Sequence, residues 1–185
     1  LTIYQEAPNH MRAELEAPAI GTTIRATDGE QTRGTNNTGP PFEVTGRERL
    51  ELLDGCSFNG EAAYKTAYST LTTAGTAQVG DRAAYRVTFT TPSGLTGAVY
   101  FDRETKRVLA RQLDPASQND PAFLIVVDDY QEFDGLMLPT KQTQFVGADR
   151  VPAVQIEFRW VDIDTGEMPE FTPPENLLVP GEDGN

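Results

Sequence analysis

Apolar and polar residues alternate along much of this chain, and turn signals interrupt the alternation every 8–12 residues or so. The odd-numbered positions from Ala83 to Phe89 are all apolar, and so are those from Met11 to Ala17. Turn-forming pairs such as Gly80-Asp81 and Asp134-Gly135 separate such segments. A period of two with one polar face is typical of antiparallel strands. The sequence therefore predicts a mainly β fold made of antiparallel hairpins.

Length and charge narrow the possible functions. With 185 residues, the chain suits one β domain, which we expect over residues 1–173, followed by a flexible tail over 174–185 that is rich in Pro and Gly. The net charge is −13, from 28 acidic and 15 basic residues. A phosphate backbone needs a basic surface, so we expect no nucleic-acid partner. No stretch is apolar enough for a transmembrane segment.

One segment has the features of a helix. Thr45 and Glu48 have the spacing of a capping box, three leucines follow, and Gly55 provides a stop. We expect a helix over about residues 46–54. Such a short helix is unstable alone, so its leucines should pack on the sheet.

Residue types that usually carry catalysis are scarce. His10 is the single histidine and cannot build a histidine-rich metal site, so we interpret it as an exposed turn residue. Cys56 is the single cysteine, and buried packing suits it better than nucleophilic chemistry. Asp128 and Asp129 are adjacent in a strand and should point to opposite faces. The acidic turn at residues 102–105 is interpreted as solvated. We therefore predict no catalytic residue, metal site or cofactor.

The aromatic and large aliphatic residues leave two interpretations open. They could form the buried face of an ordinary sheet. Alternatively, a curved sheet with one short helix to cover it would leave a concave apolar surface that needs a ligand, a lid or a partner.

Three stretches, taken in order, resemble a known family. The first is residues 4–28, with a Tyr4 strand, Pro8-Asn9-His10-Met11-Arg12, and Asp28-Gly29 after a second strand. The second is residues 99–111, with Tyr100-Phe101-Asp102 followed by Glu104-Thr105. The third is residues 129–139, from Asp129-Tyr130 through Asp134-Gly135 to Leu138-Pro139. Together they resemble the lipoprotein-carrier-like (LolA/LolB-like) superfamily, which includes bacterial outer-membrane lipoprotein-sorting proteins.

The resemblance implies a strongly curved antiparallel sheet, an unclosed half-barrel with a short helix packed on its concave side. It also implies a non-enzymatic, periplasmic or otherwise extracytoplasmic protein, whose signal peptide lay in a removed N-terminal segment. Such a protein would bind a hydrophobic small molecule, a lipid or a lipoprotein acyl chain for transport. The alternative is an envelope sensor or interaction domain that docks a segment of a partner, for example a membrane-anchored protein.

The predicted ligand-binding residues are the apolar positions of the strands and of the helix. Sequence alone does not settle which strand parity faces the concave side, because a one-residue slip exchanges the two faces. We take the more apolar parity, since the convex face must meet water. The predicted residues are Leu15, Ile24, Leu50, Leu53, Tyr85, Val87, Phe89, Val99, Phe101, Phe158 and Trp160.

Overall fold

The computed structural model describes residues 1–18, 21–37, 39–56, 64–115, 121–147 and 151–158, together with 161, 166, 169 and 171. Contacts group the chain into two compact units, Leu1–Ala67 with Glu167–Asn185, and Tyr68–Gly166. The predicted mainly β, antiparallel class is confirmed. The predicted domain end at residue 173 stays a prediction, and the tail at 174–185 lies outside the described residues. No helix in the described ranges is long and apolar enough to span a bilayer.

The first unit contains a five-stranded antiparallel meander, here called sheet 1, in which each strand pairs with the next along the chain. The strand register decides which side chains share a face of sheet 1. On one face, here called the Arg25 face, Met11 lies opposite Thr27 and Arg25 lies opposite Gly34. The strands are β1 Thr2–Glu6, β2 His10–Ala17, β3 Gly21–Thr27, β4 Thr32–Thr35 and β5 Phe42–Glu43.

Helix α1, Gly46–Gly55, confirms the predicted helix and packs against β3 and β4. The predicted capping box is wrong. Thr45 occupies the N-cap, but its side chain makes no capping hydrogen bond, and Glu48 bonds to Arg25 instead, with Nε–Oε1 at 2.5 Å. An ion pair with the sheet has replaced the local bond. A second, four-residue helix that was not predicted, α2, spans Tyr64–Ala67.

The second unit contains a seven-stranded antiparallel meander, sheet 2, again with consecutive strands paired. The expectation of one curved sheet is therefore wrong, because the described strands divide between two sheets. The strands are β6 Thr70–Val79, β7 Arg82–Thr90, β8 Thr96–Asp102, β9 Val108–Leu113, β10 Phe123–Phe133, β11 Leu136–Val146 and β12 Val151–Glu157.

Two predicted turns join strands of sheet 2 as two-residue loops. Gly80-Asp81 joins β6 to β7, and Asp134-Gly135 joins β10 to β11. Asp134 has φ of 48° and Gly135 has φ of 83°, the left-handed pair that an Asp-Gly type I′ turn requires. Both turns that were predicted from their residue pairs are therefore present.

The two faces of sheet 2 differ in side-chain size. One face, the Phe89 face, carries Phe89 opposite Gly97 and Val87 opposite Val99. Its core contains Phe89 and Val99. The Tyr68 ring lies at a tilt to the Phe89 ring, with 5.2 Å between the ring centres, and Arg111 Cζ lies 4.7 Å from the Phe89 ring centre. The other face, the Tyr100 face, carries three fully buried alanines on neighbouring strands: Ala84, Ala98 and Ala110.

Candidate functional site

The second unit contains a half-open cavity of about 580 Å³ on the Tyr100 face of sheet 2. Its apolar part comes from Tyr100 on β8, Leu109 on β9, Leu124 and Val126 on β10, and Phe145 on β11. The register places Leu124 opposite Phe145, so these two side chains are neighbours on the same face. The wall is formed by the end of the β6–β7 hairpin, residues 77–82, and by residues 127–128 of β10.

The position of the hairpin wall indicates that sheet 2 is bent. Strands β7 and β11 are four places apart in the sheet, which would separate them by about 19 Å if it were flat. Residues from both strands nevertheless line the one cavity. Bending towards the Tyr100 face explains this, and the small side chains of Ala84, Ala98 and Ala110 leave room on the inside of the bend.

Polar groups lie at the wall of the cavity and on its floor. Asp81 and Arg82 belong to the hairpin, and Asp128 belongs to a β-bulge, since the β10–β11 register shifts between Val127 and Asp129. On the floor, the Tyr100 hydroxyl donates to Gln112 Oε1 at 3.1 Å. An amphipathic ligand would therefore meet apolar side chains below it and charged groups at the side.

Asp102 anchors the turn next to this wall. Its Oδ1 accepts hydrogen bonds from the N–H groups of Glu104 and Thr105 at 2.8 and 2.7 Å, and its Oδ2 lies 2.7 Å from Arg82. The Thr105 N–H contributes most to holding the pKa of this carboxyl below its ordinary value of 3.8, opposing the effect of burial. The turn at 102–105 is present as predicted, but the solvated interpretation is wrong for Asp102, whose side chain is 5% exposed.

The predicted binding residues of the first unit do not form one surface. Leu15 pairs with Thr23 while Ile24 pairs with Glu14, so Leu15 and Ile24 lie on opposite faces of sheet 1. Leu15 is 40% exposed, and the buried leucine of α1 is Leu52 rather than Leu50 or Leu53. Choosing apolar positions strand by strand failed here because the register between strands decides which positions share a face.

The predicted residues of sheet 2 do share a face, but not the face with the cavity. Tyr85 lies opposite Phe101 and Val87 opposite Val99, and Phe89 follows in the same alternation, which makes them all part of the Phe89 face. Phe89 and Val99 are core residues, while Tyr85 is 38% exposed. Ligand binding by these side chains stays a prediction.

Of the last two predicted residues, only Phe158, which directly follows β12, is described by the structure. Phe158 is half-buried, and its N–H donates to the Thr140 carbonyl at 2.8 Å. Trp160 lies outside the described residues.

The candidate reactive residues have ordinary structural surroundings. His10 opens β2, with Nδ1 3.2 Å from Glu6 Oε2 and its ring 5.0 Å from Phe171. Burial raises the pKa of the Cys56 thiol to about 11, and its Sγ lies 3.0 Å from the Leu53 carbonyl. Such a thiol is mostly protonated at neutral pH and is a poor nucleophile. Within the described ranges, no three metal-ligating side chains come together.

The cavity residues were missed because both parities of β10 are apolar. Residues 123–127 read Phe-Leu-Ile-Val-Val, so neither face of this strand looks polar. A strand that is apolar on both faces indicates that each face either packs against another part of the protein or binds a ligand. That signal points to Leu124 and Val126, but it does not tell which neighbouring strands complete the site.

Comparisons with protein-family models, with curated proteins and with solved structures found no match to this chain.

Proposed function

We propose that this protein binds a hydrophobic ligand, such as a lipid or an acyl chain, in the cavity on the Tyr100 face of sheet 2. The observation that carries the proposal is the combination of about 580 Å³ of open volume with an apolar floor that includes Leu109, Leu124, Val126 and Phe145. Cavities of this size and character are typical small-molecule sites. Each buried methylene contributes about 0.8 kcal/mol, so an acyl chain can be held without covalent chemistry.

The sequence resemblance to lipoprotein-carrier-like proteins supports the same proposal. It extends the proposal to a non-enzymatic protein in an extracytoplasmic compartment such as the periplasm. The raised thiol pKa of Cys56 argues against nucleophilic catalysis by that residue.

Fluorescence of the uncharged probe N-phenyl-1-naphthylamine tests the proposal. We expect saturable, stoichiometric binding that is lost in Val126→Trp, because the larger side chain fills the cavity. Leu136→Trp, at the exposed β10–β11 turn, is the matched control and should bind normally. Native mass spectrometry of the purified protein should show a copurified lipid.

A third variant separates the two faces of sheet 2. Val87→Trp places the same bulk on the Phe89 face, where the sequence analysis predicted the site. Loss of binding in folded Val87→Trp, with normal binding in Val126→Trp, would move the site to that face. Absence of probe binding in the wild-type protein would reject a hydrophobic-ligand site altogether.

One observation favours the alternative of a partner-docking domain. The edge strand β6 is exposed from Thr70 to Thr76 and contains neither charge nor proline, whereas the other three sheet edges carry Glu6, Glu43, or Pro152 with Glu157. An edge without charge or proline accepts an added strand, and the bulge between Thr73 and Thr76 limits this to the stretch from Thr70 to Thr73.

A second copy of the chain is the simplest partner for β6. Light scattering at rising protein concentration should then show a dimer that Thr73→Lys weakens and Gln155→Lys, on β12, does not. A monomer at all concentrations, unchanged by Thr73→Lys, would leave this alternative without support.

A further inference from the structure

The charges on the cavity wall are unbalanced. Asp81 and Asp128 both line the cavity and are exposed, and neither has a cationic partner among the residues that the structure describes. Asp128 Oδ2 accepts one hydrogen bond, from Thr143 Oγ1 at 2.7 Å. Both carboxylates therefore have free acceptor capacity at the edge of an apolar volume.

The base in the described lining is already neutralised. Arg82 binds Asp102 through Nη2 and Oδ2 at 2.7 Å, and the second Asp102 oxygen is occupied by two backbone N–H groups. An anionic ligand would thus find Arg82 engaged and would face the negative charges of Asp81 and Asp128. A cationic ligand would find two carboxylates without a counter-ion.

We infer that the cavity prefers a cationic amphiphile, with the apolar part of the ligand on the floor and an ammonium or guanidinium group at Asp81 and Asp128. This inference rests on the proposed binding function and names its ligand class. Because both carboxylates are solvent-exposed, each contributes little alone, and the pair should favour the cation over an anion of equal length by about threefold to tenfold.

Displacement of N-phenyl-1-naphthylamine by two ligands of equal chain length tests the preference. We expect dodecylammonium to displace the probe at concentrations about threefold to tenfold lower than dodecanoate, at neutral pH and low salt, below the micellar range. The difference should shrink as salt is added, because exposed charges are screened.

Charge-removing variants locate the effect. Asp81→Asn and Asp128→Asn should each lower the ratio of dodecylammonium affinity to dodecanoate affinity by about twofold to threefold, because the two carboxylates share the expected preference. Asp134→Asn removes an equal charge at the β10–β11 turn, away from the cavity lining, and should change neither ligand.

The outcomes separate this inference from the function on which it rests. If the neutral probe does not bind the wild-type protein, the proposed function fails. If the probe binds and both ligands displace it equally, or if Asp81→Asn and Asp128→Asn behave like Asp134→Asn, the cationic preference is overturned while apolar binding stands.

Discussion

Sheet 1 and sheet 2 are both antiparallel meanders, yet one face of each is used differently. Helix α1 lies on the Arg25 face of sheet 1. Three hydrogen bonds hold it there: from Arg25 to Glu48, from Gln5 to the Gly55 carbonyl at 3.0 Å, and from Arg49 to the Glu30 carbonyl at 3.1 Å. The Tyr100 face of sheet 2 holds the cavity instead. The comparison teaches that topology alone does not create a binding site. Among the residues that the structure describes, a helix covers the Arg25 face, whereas a cavity lies on the Tyr100 face.

Both sheets contain a glycine that faces an aromatic ring on the neighbouring strand. Gly34 pairs with Phe42 in sheet 1, and Gly97 pairs with Phe89 in sheet 2. A Cβ on either glycine would lie 2.9 Å from the nearest ring atom, so the absence of a side chain makes room for the ring. The other atoms around the two glycines differ, so replacing each by alanine should cost a different amount of stability, and Gly97→Ala should cost the most.

Gly97→Ala should destabilise the protein by about 3 kcal/mol, the upper end of overpacking effects. A Cβ at Gly97 would lie 2.1 Å from the backbone oxygen of Gln112, which cannot move without disturbing β9. At Gly34 the nearest atoms belong to the side chains of Phe42 and Arg25, at 2.9 and 3.1 Å, so Gly34→Ala should cost about 1 kcal/mol or less. Urea unfolding followed by circular dichroism measures both, and equal costs would show that sheet 2 is no more tightly packed here than sheet 1.

Arg25→Met tests how much the contacts of Arg25 contribute to holding helix α1 on sheet 1. The guanidinium bonds to Glu48, to the carbonyls of Ile24 and Thr35 at 2.9 and 3.2 Å, and stacks on Phe42 at 5.0 Å. Its loss should lower the free energy of unfolding by about 2 kcal/mol.

Arg49→Met is the matched control on the same helix. Arg49 has one hydrogen bond to the backbone, so the expected cost is about 0.5–1 kcal/mol. If the two variants cost the same, the ion pair with Glu48 does not dominate the helix contact.

The two aspartate-capped turns should respond differently to acid. Asp28 in the first unit accepts hydrogen bonds from the Gln31 and Glu30 N–H groups, which lower its pKa although burial acts in the opposite direction. Asp102 has the same pair of bonds and Arg82 in addition. A depressed folded-state pKa contributes stability that is fully present above the ordinary value of 3.8 and is lost as pH falls through the lower folded value.

Urea midpoints measured from neutral pH down to about pH 2 check this difference. Asp102→Asn should flatten the loss of stability below about pH 4 more than Asp28→Asn does. A steeper contribution from Asp28 would mean that the Arg82 contact adds nothing to the second turn.

Thr45→Ala should have the smallest effect, within about 0.5 kcal/mol. A true N-cap side chain would make this substitution cost about 0.5–2 kcal/mol, but the Thr45 hydroxyl makes no capping bond. A cost above 1 kcal/mol would reinstate the capping box that the sequence pattern suggested.

Local features of the fold were predictable from the sequence because their causes are local. The Asp134-Gly135 turn follows from residues that tolerate positive φ, and α1 follows from its leucines, although Gly55 is the last helical residue and does not adopt the positive φ of a glycine stop. The Glu48 error has a nonlocal cause, since Arg25 lies 23 residues away in the chain and offers a stronger partner than a backbone N–H.

The division into two sheets and the position of the cavity could not be predicted in the same way. The predicted helix interrupts the strands between β5 and β6, but a helix between two strands does not tell whether those strands still pair, so the break between the sheets could not be predicted from it. The cavity depends on residues of several strands that the register brings together, such as Leu124 and Phe145 on the Tyr100 face, and on a bulge at Asp128. Register and bulges arise from pairing between strands, which a single sequence does not display.

Chemical modification of Cys56 can report on local opening of the first unit. The shift of its pKa to about 11 lowers the thiolate fraction at neutral pH roughly a hundredfold, and its side chain is almost inaccessible. A thiol reagent can therefore modify it only when the end of α1 lifts from sheet 1. Because the chain has no other cysteine, the rate of modification measures the free energy of an opening around Cys56.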